Sequence, residues 1–589
     1  MITLGINAAF HDSAAALMID GRLVAAAEEE RFTRIKHAKR PVPFSAWELP
    51  FHAIDYCLRE AGLNLADVNH VAYSYDPARF IRDRVRGSSI ALPLRPSAHD
   101  PGAWESVWDP LFASYIVNAP RQLASGAPHH LKKRFDGVRH DGPYRFHFVD
   151  HHLAHQASAF LAAPFEHCAV MTLDGRGEDA TTSYGTYAGH VGGRNGSGRY
   201  ERLGEVLMPH SLGMLYERIT SHLGFLHSSD EYKVMALAAL GRPTYLETFR
   251  SLIHVEDEGR YRIDPFDPAE LFGPARERGE RLEQRHFDIT ASLQAALEET
   301  VLHLARWLRE ATGESLLAMA GGVALNCVMN AKLRDAGLFE EVWVQPAAGD
   351  AGSALGAALW IDSHERSGSP AVLAPRLWTM EHAYWGPSHR DDEIEQLLKW
   401  ARLPFRRLRD VTGETAELLL QDRIVGWFQG RMEFGPRALG ARSILASPLN
   451  AGMQARLNEL KDREDFRPVA PVVTEDDFDN WFTPAQSDGG SSPFMLFVYD
   501  VKPEAAARIP AVCHADRTAR VQTVRRDTNP RYHGLLKAFG ARTGVPVLVN
   551  TSFNVRGEPM VCSPRDALAA FFSTPLDALV IGSFLLEKR

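Results

Sequence analysis

Residues Ala169–Ala188, AVMTLDGRGEDATTSYGTYA, contain a buried strand, a small polar loop and a returning strand. Residues Ile2–Ile19, ITLGINAAFHDSAAALMI, show the same order, and the Asp20-Gly21 dipeptide that follows favours a tight hairpin turn. Short apolar runs bounded by Gly, Asp or Ser are typical of buried strands. Two such strand–loop–strand units in one chain predict a duplicated α/β fold of the nucleotide-binding kind.

Two strand–glycine–helix junctions follow further along the chain. The apolar run Ser315–Ala320 is predicted as a strand that ends at Gly321-Gly322, with a helix over 324–334. A second strand, Val342–Gln345, is followed by a loop and by Asp350, which opens the helix AGSALGAALWI. Open α/β sheets bind ligands at the carboxyl ends of their strands, so both junctions are candidate site loops.

A histidine-rich helix is predicted over Asp150–Phe160, DHHLAHQASAF. Residues four apart share one helix face, so His151 and His155 aim both imidazoles at one point. His152 lies one position round the helix and is an alternative to His151, which we favour. The pattern predicts half of a metal site, because converging neutral imidazoles are typical metal ligands.

Carboxylates at strand ends complete this predicted metal site. Asp174 ends one strand and Asp350 follows another, which with His151 and His155 gives two nitrogen and two oxygen ligands. That ligand set suits Fe(II), Zn or Mn. Each carboxylate also has a structural alternative, Asp350 as a helix N-cap and Asp174 in the turn beside Gly175.

Arginines and glycines cluster in the stretch Gly430–Ala446, GRMEFGPRALGARSILA. The segment NELKDREDFRPVAP adds Lys461, Arg463 and Arg467, DRTARVQTV adds Arg520, and VLVNTSFN ends a strand in hydroxyls and amides. Guanidinium groups bind phosphate and carboxylate oxygens through two parallel hydrogen bonds. We predict a polyanion pocket in preference to solvated surface arginines. The sequence has no Walker A motif, so the pocket is not a P-loop.

Length and composition predict the domain organisation and the compartment. A chain of 589 residues exceeds a single core. We predict a first domain over 1–366 with an insertion or lid at 78–143, a linker at 367–380 and a second domain over 381–589. The net charge of −9 argues against a nucleic-acid partner. Five scattered cysteines, no signal peptide and no membrane-spanning run predict a soluble cytoplasmic protein.

At these residues the sequence resembles a known family, the ATP-dependent O-carbamoyltransferases of nodulation-factor and antibiotic biosynthesis. The matching stretches include LGINAAFHDSAAAL, DHHLAHQASAF, LDGRGE, GDAGSALGAA, MEFGPRALGARSIL, KDREDFRPVAP and NTSFNVRGEP. They follow one another over nearly the whole chain, apart from 78–143. The resemblance implies an N-terminal duplicated actin/hexokinase-like domain and a C-terminal YrdC-like twisted α/β domain. It also implies that the C-terminal domain makes carbamoyladenylate from carbamoyl phosphate and ATP with Mg(II). The N-terminal domain then passes the carbamoyl group to an alcohol and releases AMP.

The resemblance also assigns site residues. The implied iron, Fe(II), is held by His151, His155, Asp174 and Asp350. His11 is the implied base for the acceptor hydroxyl, with Asp12 beside it; holding the loop together is the alternative role of this pair. The implied catalytic groups that neutralise phosphates are Arg437, Arg442 and Lys461. The other implied cofactor-binding positions are Glu231, Lys233, Gly321, Gly322 and Asn326 around the adenosine and Arg463, Arg467, Arg520, Ser552 and Asn554 around the phosphates.

We therefore expect an O-carbamoyltransferase that acts on a hydroxyl of a sugar or secondary metabolite. An ATPase or sugar kinase of the actin/hexokinase class would leave the histidine helix and the arginine stretch unused. A tRNA threonylcarbamoyl-transfer enzyme would need a basic face. A non-catalytic scaffold would have no reason to place so many charged groups at strand edges. The expected partner is a small hydroxyl acceptor contacted by 78–143, with no nucleic acid or membrane; a homodimer is compatible with the sequence.

Overall fold

A computed structural model describes residues 1–38, 49–79, 116–125, 143–190, 197–369, 371–485 and 490–588. The chain divides into two compact units. The first unit comprises Met1–Glu231, Arg242–Leu325 and Leu338–Met380, and the second comprises Tyr232–Gly241, Asn326–Gly337 and Glu381–Arg589. Most of the predicted insertion at 78–143 lies outside the described residues.

The first sheet of the first unit has the strand order β3-β2-β1-β4-β5. Its strands are β1 (Ile2–Asn7), β2 (Ala14–Ile19), β3 (Arg22–Glu28), β4 (His70–Tyr73) and β5 (Arg145–Phe148). Strands β1 to β3 are antiparallel, and β4 and β5 run parallel to β1. Asp20 and Gly21 join β2 to β3 with φ angles of 48° and 80°, which is the left-handed hairpin turn that this dipeptide favours.

The second sheet repeats this topology in the order β8-β7-β6-β11-β12. Its strands are β6 (His167–Leu173), β7 (Ala180–Ala188), β8 (Arg199–Leu207), β11 (Leu316–Ala320) and β12 (Glu341–Val344), and a separate pair is formed by β9 (Ile253–Val255) and β10 (Tyr261–Ile263). Strands β6 to β8 are antiparallel, and β11 and β12 are parallel to β6. The α/β prediction is confirmed, and the sheet topology is internally duplicated.

Helices pack against these sheets and connect their strands. In chain order, the α-helices are α1 (Glu30–Thr33), α2 (Phe51–Glu60), α3 (Ala119–Ser125), α4 (His151–Phe160), α5 (Leu212–His222), α6 (Glu231–Ala238), α7 (Leu246–Leu252), α8 (Pro268–Phe272), α9 (Gln284–Thr312), α10 (Cys327–Asp335), α11 (Asp350–Ser367), α12 (Asp391–Trp400), α13 (Val411–Leu420), α14 (Met453–Leu460), α15 (Pro503–Ala506), α16 (Pro530–Thr543) and α17 (Pro564–Ser573). Short 3₁₀ turns occupy Lys36–Ala38, Leu65–Asp67, Gly322–Leu325, Glu475–Asn480 and Pro510–Val512.

Small residues bring α11 close to its neighbours. A Cβ atom added to Gly5 of β1 would lie 2.0 Å from the Ala354 carbonyl oxygen, and one added to Gly356 would lie 1.7 Å from the Ala154 carbonyl oxygen of α4. Such distances exclude any side chain, so glycine is required at both positions. The close packing fixes the first residue of α11, Asp350, relative to the histidine helix α4.

The second unit is built on an eight-stranded mixed sheet with the order β13-β22-β21-β14-β15-β20-β16-β19. Its strands are β13 (Arg406–Arg407), β14 (Val425–Phe428), β15 (Arg442–Ala446), β16 (Ala470–Thr474), β19 (Gln522–Val524), β20 (Val547–Ser552), β21 (Ala578–Ile581) and β22 (Phe584–Glu587), with a separate pair, β17 (Tyr499–Asp500) and β18 (Thr518–Ala519). Trp427 and Phe428 of the central strand β14 point into separate apolar clusters on the two faces of the sheet. Both faces of the sheet are therefore covered.

The helix predicted over 324–334 is interrupted. A 3₁₀ turn spans Gly322–Leu325, and α10 begins at Cys327. The side chain of Asn326 accepts a hydrogen bond of 3.0 Å from the Met329 amide, so Asn326 acts as an N-cap and starts a new helix.

Two segments of the predicted first domain, Tyr232–Gly241 and Asn326–Gly337, belong to the second unit. Lys233 Nζ donates to Glu464 Oε1 at 3.0 Å. The Arg334 guanidinium lies 4.3 Å from the centroid of the Tyr499 ring. These contacts join distant parts of the sequence, so the boundaries differ from the predicted 1–366 and 381–589.

The segment predicted as a linker, 367–380, belongs to the first unit. Leu373 pairs with Gly198 in an isolated bridge. The buried Arg376 guanidinium donates to the carbonyl oxygens of Phe160 and Ala163 at 3.0 and 2.6 Å. These bonds hold the segment against its unit, and the change of unit comes at Met380 and Glu381.

All five cysteines lie in the described residues, and they form no disulfide with one another. A search of the described part of the chain found no helix with both the length and the apolar character needed to cross a membrane.

Candidate functional site

Four side chains of the first unit bring metal-ligating atoms together. We call this group the donor cluster: His151, His155, Asp174 and Asp350. All four residues are buried, and their ligand atoms lie within 4.8 Å of one another. The two Nε2 atoms are 3.1 Å apart, and Asp350 Oδ1 is 3.6 Å from each of them. Ligands that share one cation at about 2.1 Å are separated by about 3.0–3.4 Å in octahedral or tetrahedral geometry, so the donor set fits a metal ion.

The start of α4 positions the histidines. Asp150 is the N-cap, and its Oδ1 accepts a hydrogen bond of 2.7 Å from the Leu153 amide. His151 Nδ1 donates to the Ser74 carbonyl oxygen at 3.1 Å, which leaves the Nε2 lone pair directed at the other members of the cluster. His152 faces a different direction, because its Nδ1 lies 3.0 Å from Ser183 Oγ. The geometry therefore selects His151 over His152.

The two carboxylates reach the cluster from the residue that follows β6 and from the first residue of α11. Asp174 Oδ1 accepts a hydrogen bond of 2.7 Å from the Gly322 amide, and Asp174 Oδ2 lies 3.5 Å from His151 Nε2. Asp350 is the first residue of α11, and no side-chain hydrogen bond caps that helix, whose N-cap is Gly349. The N-cap alternative for Asp350 is therefore excluded.

The cluster has a strong demand for positive charge. Burial alone would lower the pKa of His151, but hydrogen bonds and charge from Asp174 and Asp350 raise it well above its ordinary value. Burial alone would raise the pKa of both carboxyls, but the imidazoles outweigh it, lowering the pKa of Asp174 to about 2 and that of Asp350 further. Two ionised carboxylates in a buried site require a cation, either a proton on an imidazole or a metal ion.

His11 and Asp12 lie next to the donor cluster. His11 Nδ1 is 2.9 Å from Asp12 Oδ2 and 3.8 Å from Asp350 Oδ2. Asp12 Oδ1 accepts from His37 Nδ1 at 2.8 Å, and the interactions of Asp12 with His37 and His11 outweigh burial and hold the pKa of Asp12 well below its ordinary value. An ionised Asp12 keeps the proton of His11 on Nδ1 and leaves Nε2 as the basic nitrogen.

The glycine pair and the glutamate assigned to the adenosine occupy the same unit. Gly321 has a φ angle of 95°, and a Cβ atom there would lie 2.2 Å from the Leu173 carbonyl oxygen, so only glycine fits. Burial and then the charge of Glu217 raise the pKa of Glu231 to about 7. Lys233, which was also assigned to the adenosine, belongs to the second unit, where its Nζ donates to Glu464 Oε1 at 3.0 Å.

The second unit contains a group of basic residues that we call the cation cluster: Arg437, Lys461, Arg463, Arg467 and Arg520. Lys461 is buried at the end of α14, where its Nζ donates to Ser552 Oγ at 2.9 Å and to Asn554 Oδ1 at 2.7 Å. Arg463 Nε donates to Asn458 Oδ1 at 2.6 Å. The predicted strand end VLVNTSFN thus holds the lysine.

Burial and mutual repulsion lower the pKa values of residues in the cation cluster. Burial, followed by the charges of Arg463 and Arg467, lowers the pKa of Lys461 well below its ordinary value. Burial and Arg520 lower the pKa of Arg437, and burial and Arg467 lower that of Arg463. Arginines stay protonated in proteins, so the pocket carries excess positive charge that a bound polyanion would offset.

The segment Tyr232–Gly241 contributes to this pocket. The Arg467 guanidinium lies 4.7 Å from the centroid of the Tyr232 ring, a cation–π distance. Lys233 Nζ lies 3.0 Å from Glu464 Oε1, while Arg467 Nη1 lies 3.6 Å from Glu464 Oε2. Lys233 therefore neutralises a carboxylate beside the cation cluster.

Arg442 is held by backbone carbonyl groups. It is fully buried, and its guanidinium donates to the carbonyl oxygens of Gln429, Gly430 and Pro387 at 2.9–3.1 Å. It also lies 3.7 Å from the centroid of the Phe428 ring. A guanidinium that donates to three backbone carbonyl oxygens supports the loop, which gives Arg442 a structural role.

Three supporting residues were missed from the sequence. Glu433 Oε1 accepts hydrogen bonds of 2.7 Å from the amides of Leu439 and Ala441, which organises the arginine-rich loop. Glu178 Oε1 accepts from the His151 amide at 3.0 Å. Ser74 orients His151 through a carbonyl group, which no side chain signals in the sequence. Of the three, only Glu433 could have been found from the sequence, because a glutamate among the apolar residues of MEFGP indicates a buried carboxylate.

The comparisons with known proteins cover both units. The family described as "Carbamoyltransferase N-terminus" matches residues 2–359, and "Carbamoyltransferase C-terminus" matches residues 416–588. The chain is 40% identical to "Nodulation protein NolNO" of Sinorhizobium fredii over 99% of this chain and 80% of that protein. It is 36% identical to "3'-hydroxymethylcephem-O-carbamoyltransferase" of Amycolatopsis lactamdurans over 61% of this chain and 65% of that protein.

Similarity to solved structures is weak. The ROK hexokinase from Thermus thermophilus aligns with 61% of this chain and 98% of its own, at 16% identity and a TM-score of 0.27, which is too low to support an inference. The sequence matches are decisive by contrast, since together they span both units. The chain belongs to the carbamoyltransferase family.

Proposed function

We propose that this protein is an ATP-dependent O-carbamoyltransferase that modifies a hydroxyl of a sugar or secondary metabolite. The observation that carries the proposal is the pairing, in one chain of this family, of a buried carboxylate–imidazole cluster with a separate cation cluster. The donor cluster suits a cation, with His11 beside it for a proton transfer, and the cation cluster suits phosphates. A reaction in two steps, one at each site, uses both.

The proposed first step takes place at the cation cluster of the second unit, for which we propose a YrdC-like α/β fold. Carbamoyl phosphate and water give carbamate and inorganic phosphate, and a carbamate oxygen then attacks the α-phosphorus of ATP. The bond to the β-phosphate breaks, so the products are carbamoyladenylate and pyrophosphate. Arg437, Lys461 and Arg463 stabilise the negative charge of the phosphates, with Mg(II) on the nucleotide. Arg467, Arg520, Ser552 and Asn554 complete the proposed pocket.

The proposed second step takes place in the first unit, whose repeated strand order supports an actin/hexokinase-like assignment. The acceptor hydroxyl attacks the carbamoyl carbon, the bond to AMP breaks, and the hydroxyl proton passes to His11 Nε2. Asp12 holds His11 in the required tautomer. Glu231 accepts the ribose hydroxyls, and the loop of Gly321 and Gly322 completes the proposed adenosine site.

The donor cluster would hold Fe(II), or another divalent cation, through His151, His155, Asp174 and Asp350. Once bound, the ion would supply Lewis-acid polarisation of the carbamoyl carbonyl group. The chain's own contribution is orientation: Ser74 directs His151, Gly322 directs Asp174, and the packing of α11 fixes Asp350.

Product analysis tests the proposal. The purified protein is incubated with carbamoyl phosphate, ATP and Mg(II), with and without a panel of sugars and natural-product alcohols. We expect AMP, pyrophosphate and inorganic phosphate, and a carbamate ester with a subset of the alcohols. Formation of ADP as the sole nucleotide product would indicate a kinase or ATPase and contradict the proposal. Transfer of a threonylcarbamoyl group to tRNA would support a tRNA threonylcarbamoyl-transfer enzyme instead.

A further inference from the structure

A second group of side chains that can bind a metal ion lies on strands β4 and β5 of the first sheet and on helix α11. His70, His147 and Glu365 offer ligand atoms that all lie within 4.8 Å of one another. His70 Nδ1 is 3.0 Å from His147 Nε2, and His70 Nε2 is 3.9 Å from Glu365 Oε2. Two imidazoles and one carboxylate are a common ligand set of borderline divalent metals.

The fold brings these three residues together through regular structure. In the parallel pair β4–β5, Ala72 is the partner of His147 and Arg145 is the partner of His70, so both histidines lie on one face of the sheet. That face packs against α11, which carries Glu365 in its last turn. Ligands held on two strands and one helix need little rearrangement on binding.

The environment keeps the imidazoles ready to bind. Burial is the main cause that lowers the pKa of both His70 and His147, so both rings are neutral at neutral pH. Only a neutral imidazole has a lone pair for a metal. Glu365 is 32% exposed and provides an anionic ligand on the solvent side. Arg145, which is 78% exposed, lies 3.9 Å from Glu365 and can turn into solvent.

We propose that His70, His147 and Glu365 form a second divalent-metal site that binds Zn(II) or a similar ion, with water in the remaining positions. The site ties β4, β5 and the end of α11 together. Glu365 lies fifteen residues beyond Asp350 on the same helix, which is about 22 Å along the axis. The ion therefore acts as a structural clamp away from the donor cluster.

Zinc titration of the chelator-stripped full-length protein tests this site. We expect His147→Ala to bind one Zn(II) per chain fewer than the wild type. The difference in stoichiometry carries the test, so it does not depend on whether the donor cluster also binds zinc. Glu365→Gln should weaken the site by at least about tenfold, because a neutral amide replaces the anionic ligand. This exposed substitution leaves the sheet intact if His147→Ala fails to fold.

His167→Ala is the matched control. His167 and Glu314 form an exposed pair in the same unit at 2.6 Å, and the pair belongs to none of the ligand groups found among the described residues. The zinc stoichiometry and the zinc affinity of the His167→Ala variant should equal those of the wild type. Wild-type stoichiometry in folded His147→Ala, or wild-type zinc affinity in Glu365→Gln, would overturn the proposal. The three residues would then form a hydrogen-bonded chain without a metal.

Discussion

The donor cluster and the cation cluster are opposite solutions to burying charge. In the first unit, Asp174 and Asp350 have lowered pKa values because imidazoles outweigh burial. The two carboxylates are therefore ionised, and the site requires a cation. In the second unit, Lys461 has a lowered pKa because burial and neighbouring cations disfavour its charge, so the site lacks negative charge. Each unit is thus built for a ligand that the other would repel. The difference suggests two partial reactions instead of one shared centre.

Asp174→Asn gives the sharpest test of the donor cluster. The substitution removes an anionic donor 3.5 Å from His151. We expect loss of bound metal and a decrease in carbamoyl transfer of about 1000-fold, or about 4 kcal/mol. Metal analysis and quantification of the carbamate ester measure both effects. Pyrophosphate release should stay at the wild-type rate.

The control for this experiment is Asp264→Asn, at a partly exposed aspartate that pairs with His254 in the same unit. It should keep wild-type metal content and transfer. If Asp174→Asn retained both, the four residues would not be a metal site.

Lys461→Met tests the cation cluster in the same way. It removes the buried ammonium held by Ser552 and Asn554. We expect pyrophosphate release to slow by about 100-fold, because one charge that stabilises the phosphates is lost. Metal content should not change. Lys537→Met, at a partly exposed lysine paired with Asp477 at 2.7 Å, is the matched control. Equal rates in the two variants would exclude Lys461 from the reaction.

Arg437 and Arg442 separate binding from folding within one loop. Arg442→Ala leaves several buried carbonyl oxygens unsatisfied, so we expect the free energy of unfolding to fall by about 3 kcal/mol. Arg437→Ala should raise the KM for ATP and leave the free energy of unfolding nearly unchanged. Urea denaturation and steady-state kinetics distinguish them. A loss of stability in Arg437→Ala and a loss of ATP binding in folded Arg442→Ala would reverse the two roles.

The smallest expected effect is on pH dependence. The pKa of Lys461 is lowered, and only its protonated form attracts phosphates, so affinity for ATP should fall as pH rises through that pKa. At pH values above that pKa, the KM for ATP rises by at most about tenfold per pH unit. Lys461→Arg keeps its charge and should remove this alkaline limb. Profiles of KM against pH that coincide for both proteins would contradict the assignment.

Local patterns predicted the fold and the donor cluster from the sequence. The repeated strand–loop–strand order indicated the duplication, and the four-residue spacing indicated that His151 and His155 share a helix face. Both signals arise from the periodicity of regular structure. The structural role of Arg442 could not be predicted, because its carbonyl acceptors come from loops that no pattern of side chains identifies.

Long-range contacts set the limit of the sequence prediction. Lys233 and Glu464 are 231 residues apart, so the grouping of Tyr232–Gly241 with the second unit could not be inferred from composition. Arg376 lies in the segment predicted as a linker, 367–380, yet its guanidinium is buried against the carbonyl group of Phe160. Such packing depends on tertiary structure alone.

The most direct test of the two-site account is the product balance of His151→Ala/His155→Ala. The variant is incubated with carbamoyl phosphate, ATP and an alcohol that the wild-type enzyme carbamoylates. Pyrophosphate release at the wild-type rate without carbamate ester is the predicted result. Wild-type ester formation, or loss of pyrophosphate release together with the ester in a folded protein, would contradict the division of the reaction between the two units.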